Sequence, residues 1–446
     1  MSLFILIFCL SIVFTSPISA QWRRLLAKKT FSVAANPQNP RTIYVGGIGR
    51  VIYRSFDGGN NWDTLVVKYQ NSTSVITNIF IHPVDTNIII VGGIRLGTLI
   101  RSTDGGMHWE DVLKLPYNLI LAGETLIGDV NNSEVIYAAD LNSSSIFRST
   151  NRGASWVQIS TINNEVCTLT MLPNSTTIFA GCLGGFIYRS TDSGHTWQQI
   201  TLLMTTFNFE AEIPRIIFSH RHPLIGYAAV TIFNKDSKPR GGIYKTIDGG
   251  NSWYLSGFAD TSIWSLALCT KGELDELFIG GYTENFSRKP YLPGQGIVSL
   301  TRDGGITWER TDNSIKWTDT IYRNVWMMKF FDNKLSSSNH LYMATEAGFF
   351  VRDSPNSTYN SINQLSDGLM KCTAMLKNGK LIVKLPDHIS PISGLKIQLY
   401  TLLGEKILDE NLNNTFEFPV MYLQSSIYIC QFISERTQQQ LLLISQ

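Results

Sequence analysis

The chain has 446 residues, 43% hydrophobic and 16% charged, and its 37 Lys and Arg offset 35 Asp and Glu to leave a net charge of +2. This near-balance, with 11% aromatic residues and 35 Gly, excludes a highly charged disordered chain and the cationic footprint of a nucleic-acid binder. The six Cys show no C-x-x-C or Cys/His spacing, so no zinc site is expected, and nothing else in the chain calls for a metal or a cofactor.

Residues 1–20 hold an apolar run from Leu3 to Thr15, followed by Pro17-Ile18-Ser19-Ala20. A run short of the ~20 residues that span a bilayer, with a small residue at its end, reads as a secretory signal peptide that leaves no membrane anchor after cleavage. Cys9 lies inside the run, which disfavours a lipid anchor. Among the remaining Cys, Cys167 and Cys182 stand on consecutive predicted strands and either bridge that hairpin or stay as buried thiols.

The chain then repeats one unit. Two short apolar strands, for example 31–34 with 42–45 or 168–171 with 178–180, lead to a third strand and the turn Ser55-Phe56-Asp57-Gly58-Gly59-Asn60-Asn61-Trp62. Five further copies pair Asp104 with Trp109, Asn151 with Trp156, Asp192 with Trp197, Asp248 with Trp253 and Asp303 with Trp308. They recur 41 to 56 residues apart, the length of a four-stranded propeller blade. The pattern has the chemistry of a turn: hydroxyl and carboxylate accept backbone N–H groups, Gly supplies positive φ, and Trp offers a packing surface. With one carboxylate per turn and no D-x-D-x-D set, these are structural positions rather than metal sites. Asn151 in place of Asp predicts a less tightly pinned third turn.

A seventh strand pair, 325–328 with 340–343, precedes Gly348-Phe349-Phe350-Val351-Arg352, which aligns with Gly185-Phe186-Ile187-Tyr188-Arg189, but Pro355 stands where Asp is expected. Gln21-Trp22-Arg23-Arg24-Leu25-Leu26 resembles the strand that follows the other turns. Residues 21–27 are therefore expected to complete the last blade and remove two open sheet edges. The fold expected is all-β: a seven-bladed β-propeller over 21–353, a linker over 354–369 and a small β-sandwich over 370–446. The sandwich follows from alternating segments such as 381–386, 395–400 and 426–430.

The repeated turn resembles the Asp-box, or bacterial neuraminidase repeat, of sialidases, xyloglucanases, sortilin-type receptors and photosystem II assembly-factor propellers. The resemblance covers residues 21 to about 365 and implies the fold more than an activity. At the other end, Leu399-Tyr400-Thr401-Leu402-Leu403-Gly404-Glu405-Lys406 and Leu423-Gln424-Ser425-Ser426-Ile427-Tyr428 resemble the C-terminal sorting domain of type IX secretion cargo in Bacteroidetes. The Pro-Asn-Pro opening of that family is absent near Lys377-Asn378-Gly379, and the last strand ends in Leu441-Leu442-Leu443-Ile444 rather than in Lys. The resemblance implies export through the periplasm to the surface or medium, with residues 370–446 engaging the type IX machinery.

For function, a sialidase needs an arginine cluster, an acid/base carboxylate and a Tyr-Glu pair, and the Phe-Arg-Ile-Pro segment of that family is missing. Arg215 and Arg323 begin predicted inner strands, and Glu210 and Glu212 stand close together. Long connections in the fifth and sixth repeats carry Lys238, Arg240, Arg288, Lys289 and Tyr291, a basic and partly aromatic rim on the face opposite the box turns. Arg215, Arg323 and these rim residues form the expected ligand site. The reading that follows is a non-catalytic binder of a protein or glycan, with a glycoside hydrolase of sialidase or xyloglucanase type and an assembly factor as alternatives.

Overall fold

A computed structural model describes residues 21–353 except 69–72, 116–122, 142, 203–210, 233–240, 260, 270–274, 285–292, 316–323 and 332–339, together with strand segments between 373 and 444. Residues 1–20, where the sequence reading expects a signal peptide, lie outside the described residues. Contacts divide the chain into Met1–Asn356 and Ser357–Gln446. In the first unit, seven four-stranded antiparallel sheets form the blades of a β-propeller. Blade four, for example, runs Val166–Met171, Ile178–Cys182, Phe186–Ser190 and Gln198–Leu202 from the axis outward. Apolar residues on both faces of each sheet pack against the neighbouring blades, because a blade is covered on two sides and carries no solvent face in its inner strands.

Ring closure joins the two ends of this unit. Trp22–Leu26 pairs antiparallel with Gly348–Asp353, with Trp22 opposite Arg352 and Arg24 opposite Phe350. The register corrects the sequence alignment by one residue. In blade four an irregularity falls between Ile187 and Tyr188, and in blade seven the same irregularity falls between Phe349 and Phe350. Arg352 therefore holds the place of the box hydroxyl Ser190, and Trp22 the place of the box Trp197. Trp22 is buried against Phe278, Val298 and Leu300 of blade six. The box tryptophans lean the same way, onto the preceding blade: Trp62 meets Phe349 edge-on at 5.7 Å and Trp308 meets Phe258 at 4.9 Å.

Within each box the hydroxyl is the buried member. Ser190 Oγ donates to Asp192 Oδ1 (2.7 Å) and accepts the N–H of Gly194 (2.8 Å), while Asp192 Oδ1 accepts the N–H of Thr196 (2.9 Å). Gly194 has φ +89°, a conformation that side chains rarely adopt. The third turn is not loosened by Asn151. Its Oδ1 accepts from Ser149 Oγ and from the Ser155 N–H, both at 2.9 Å, and its Nδ2 donates to Ser155 Oγ where a carboxylate elsewhere accepts from the hydroxyl. A hydroxyl serves as donor or acceptor, so the amide keeps the turn.

Basic residues ahead of the boxes clip blade to blade. Arg54 Nη1 donates to the Gly105 carbonyl (2.9 Å), Arg101 Nε to the Arg152 carbonyl (3.0 Å) and Lys245 Nζ to the Gly304 carbonyl (2.8 Å), each acceptor lying in the next box. Nearer the axis, Ser32 Oγ donates to the Ile76 carbonyl (2.9 Å) and Ser265 Oγ accepts the Met328 N–H (2.7 Å), so small polar side chains satisfy the backbone of the adjacent inner strand. Cys167 is the extra residue between the pairs Val166–Cys182 and Thr168–Gly181, so it does not face Cys182, and both are buried free thiols.

The second unit contains the two antiparallel sheets of the small β-sandwich. One holds Thr373–Lys377, Lys380–Lys384 and Glu417–Pro419; the other holds Lys406–Asn411, Lys396–Thr401, Ile427–Ile433 and Gln438–Ile444. The hairpin read from Leu399 to Lys406 is present in register, with Tyr400 opposite Lys406.

Two expectations follow from this construction. Trp22→Ala should destabilise the first unit by about 3–5 kcal/mol, as large aromatic deletions in a core do. Chemical denaturation should show this as a shift of the ring's transition, not as fraying of one end. Ser190→Ala should cost about 1–3 kcal/mol by leaving the buried Gly194 N–H without its acceptor, whereas Asp192→Asn should leave the melting temperature nearly unchanged, following the arrangement at Asn151.

Candidate functional site

Seven inner strands surround a central channel, and charged residues from three blades meet inside it. Glu124 precedes the inner strand of blade three, where blade four holds its carbonyl through the Leu169 N–H (2.8 Å) and Thr168 Oγ1 (3.3 Å). Arg215 follows Pro214 in the inner strand of blade five; the ladder skips from Glu212 to Arg215 there, the irregularity that the inner strands of blades two, four, six and seven carry at the same place. Lys329 interrupts the apolar strand Val325–Phe331 of blade seven.

Glu124 joins the two cations. Its Oε1 accepts from Lys329 Nζ at 2.6 Å, and its Oε2 accepts from Arg215 Nη1. Burial acts to raise the Glu124 carboxyl, but the charges of Arg215 and Lys329 overcome it and hold the group at about 2. The triad therefore keeps Glu124 ionised and carries one net positive charge.

The triad lies at the inner end of a chamber of about 960 Å³. Phe80, Ile127, Ile217, Leu268 and Phe330 line its walls; Asn36, Pro83, Asn131, Pro173 and His220 surround its mouth. The mouth residues belong to hairpins that are bonded to box turns, as in Gly58 N to the Arg41 carbonyl (2.9 Å) and Gly105 N to the Asn87 carbonyl (3.0 Å). The chamber thus opens on the box-turn face. At the opposite ends of the inner strands, Phe31, Trp326 and Trp264 of blades one, seven and six form an aromatic cluster with ring centroids 5.8 and 5.4 Å apart.

Of the residues expected at a ligand site, Arg215 is in the channel, engaged with Glu124. Arg323, Lys238, Arg240, Arg288, Lys289, Tyr291 and Glu210 lie outside the described residues. Glu212 is half-buried, and burial, with the charge of Glu165 adding to it, pushes its carboxyl up to about 8. Asp57, Asp104, Asp192, Asp248 and Asp303 all accept bonds within their turns. Backbone and side-chain donors of Asn61 hold Asp57 down at about 2, so it stays ionised as an acceptor. Sequence reasoning missed Glu124 and Lys329. The available signal was a single charge in an otherwise apolar inner strand, clearest at Lys329.

No family model and no curated protein matches the chain. Solved structures do. The GH74 xyloglucanase of Xanthomonas campestris is similar at 16% identity and a TM-score of 0.54 over 74% of this chain, which spans 53% of that enzyme's length. The GH74 enzyme of Niastella koreensis is similar at 16% identity and 0.55, over 94% of this chain and 67% of the enzyme. YCF48 from Cyanidioschyzon merolae is similar at 16% identity and 0.53, over 75% of this chain and 99% of that one. What they share is the propeller fold. At this identity the likeness extends no further than that.

The channel triad has a pH signature. The Glu124 value in the folded chain lies below the ordinary glutamate value of about 4.3. Its contribution to stability is therefore complete above that value and is lost as pH falls through about 2. Glu124→Gln should be less stable than the parent at neutral pH, because two cations lose their partner. The difference should shrink progressively between about pH 5 and pH 2, as read from melting temperatures of both proteins across that range.

Proposed function

We propose that this chain is an exported β-propeller that binds a protein or glycan without breaking it, and that residues 370–446 carry it outward through type IX secretion. The observation that carries the binding reading is the engagement of Arg215. The arginine that a sialidase-type site would present to a substrate carboxylate is already paired with Glu124, and the box carboxylates serve their own turns. The proposed ligand face is the one opposite the boxes, to which the sequence assigns Lys238, Arg240, Arg288, Lys289 and Tyr291, residues whose charge and aromatic character suit an acidic glycan or protein surface. Support for the sorting role comes from the sequence of the Leu399–Lys406 and Leu423–Tyr428 segments, of which Leu399–Thr401, Lys406, Ile427 and Tyr428 stand on strands of the second unit.

A glycoside-hydrolase reading draws on one observation. Glu212, held near 8 by burial with the charge of Glu165 adding to it, is protonated at neutral pH and is suited to general-acid work. The two readings separate in one set of experiments on the chain lacking residues 1–20. The binding reading expects retention on a glycan or protein array that weakens when Lys238, Arg240, Arg288 and Lys289 are changed to Ser, with no sugar released from xyloglucan or sialosides. Hydrolysis abolished by Glu212→Gln would replace it. Fusion of residues 370–446 to a periplasmic reporter should carry the reporter to the medium or surface of a type IX host; a reporter left in the periplasm would remove the sorting role.

A further inference from the structure

The box-turn face has features that a ligand on the opposite face does not use. The chamber that opens there has walls of Phe80, Ile127, Ile217, Leu268 and Phe330, and its inner end carries the net positive charge of Arg215 and Lys329 against Glu124. Arg215 Nε is buried with no hydrogen-bond partner among the described residues. The same face exposes large apolar side chains on its box turns and hairpins: Phe56, Val84, Met107, Val130 and Leu224.

We propose that the chamber binds a medium-chain alkyl carboxylate, head inward, with the carboxylate on the Lys329 ammonium and the chain along the apolar walls. The charge at the inner end selects an anion. A single net positive charge matches one carboxylate, which would share the Lys329 ammonium with Glu124. The walls select the rest of the molecule: peptide amides drawn into this chamber would need partners that phenyl and aliphatic side chains do not offer, whereas an alkyl chain needs none. The volume lies within the range of ordinary ligand pockets. Val130, exposed where the chamber opens, gives the outer end of a longer chain an apolar side chain to lie on.

The test is calorimetric titration of the chain lacking residues 1–20 with octanoate, decanoate and dodecanoate, each below its micellar concentration. Affinity should rise about threefold to fourfold per added methylene, as apolar burial requires. Dodecanol and dodecyltrimethylammonium should bind far more weakly. Lys329→Met, which leaves Glu124 and Arg215 as a neutral pair, should weaken dodecanoate by about tenfold or more. Ile217→Trp fills the chamber without changing its charge and should weaken every chain length. The proposal is overturned if dodecanoate gives neither heat nor a melting-temperature shift, if dodecanol binds as tightly, or if both variants bind like the parent. Tighter binding of an apolar peptide with a free C-terminus would overturn the alkyl assignment.

Discussion

Seven sheets make a ring only when the last is joined to the first, and in this chain the joint is one antiparallel pairing between Trp22–Leu26 and Gly348–Asp353. Every other contact between blades presumes it. The blade six to blade seven interface needs Trp22 where six other blades supply a box tryptophan of their own. Without that strand, Gly348–Asp353 would present an open edge, the feature that sheet proteins most consistently avoid. The arginine and lysine clips and the serines near the axis then act within a frame whose dimensions are already set.

Much of the fold was legible because its determinants are local. A box closes its hydrogen bonds within a few residues, so Ser190, Asp192, Gly194 and Thr196 announce the turn in the order in which they use it. Where that local code lapses, sequence reading loses accuracy. Blade seven has no box to fix the register, and the alignment slipped by one residue at Arg352. The loosened third turn was an error of another kind: Asn and Asp share the acceptor geometry that the turn requires, and only their charge differs.

The channel was least legible. Lys329 and Glu124 are separated by 205 residues in sequence, and neither belongs to the repeat, so no spacing rule brings them together. Arg215 was visible as a charge at the start of an inner strand, but its partner was not. Loop length directed attention to the face opposite the boxes, whereas the chamber opens among short hairpins on the box side. Long insertions report where a chain tolerates variation; they carry no information about a space enclosed by seven regular strands.

The closing strand also sets the order of events in folding. Thr30 Oγ1 donates to the Gly348 carbonyl across 318 residues of chain, so this segment waits for the last blade before it has that partner. Contacts of such long range are slow to form, because the entropy of closing the loop is lost before any pairing compensates for it. Until they form, the first strand and the last are both unpaired edges. The ring therefore cannot close before blade seven is available, since residues 22–26 have no partner strand until Gly348–Asp353 is in place.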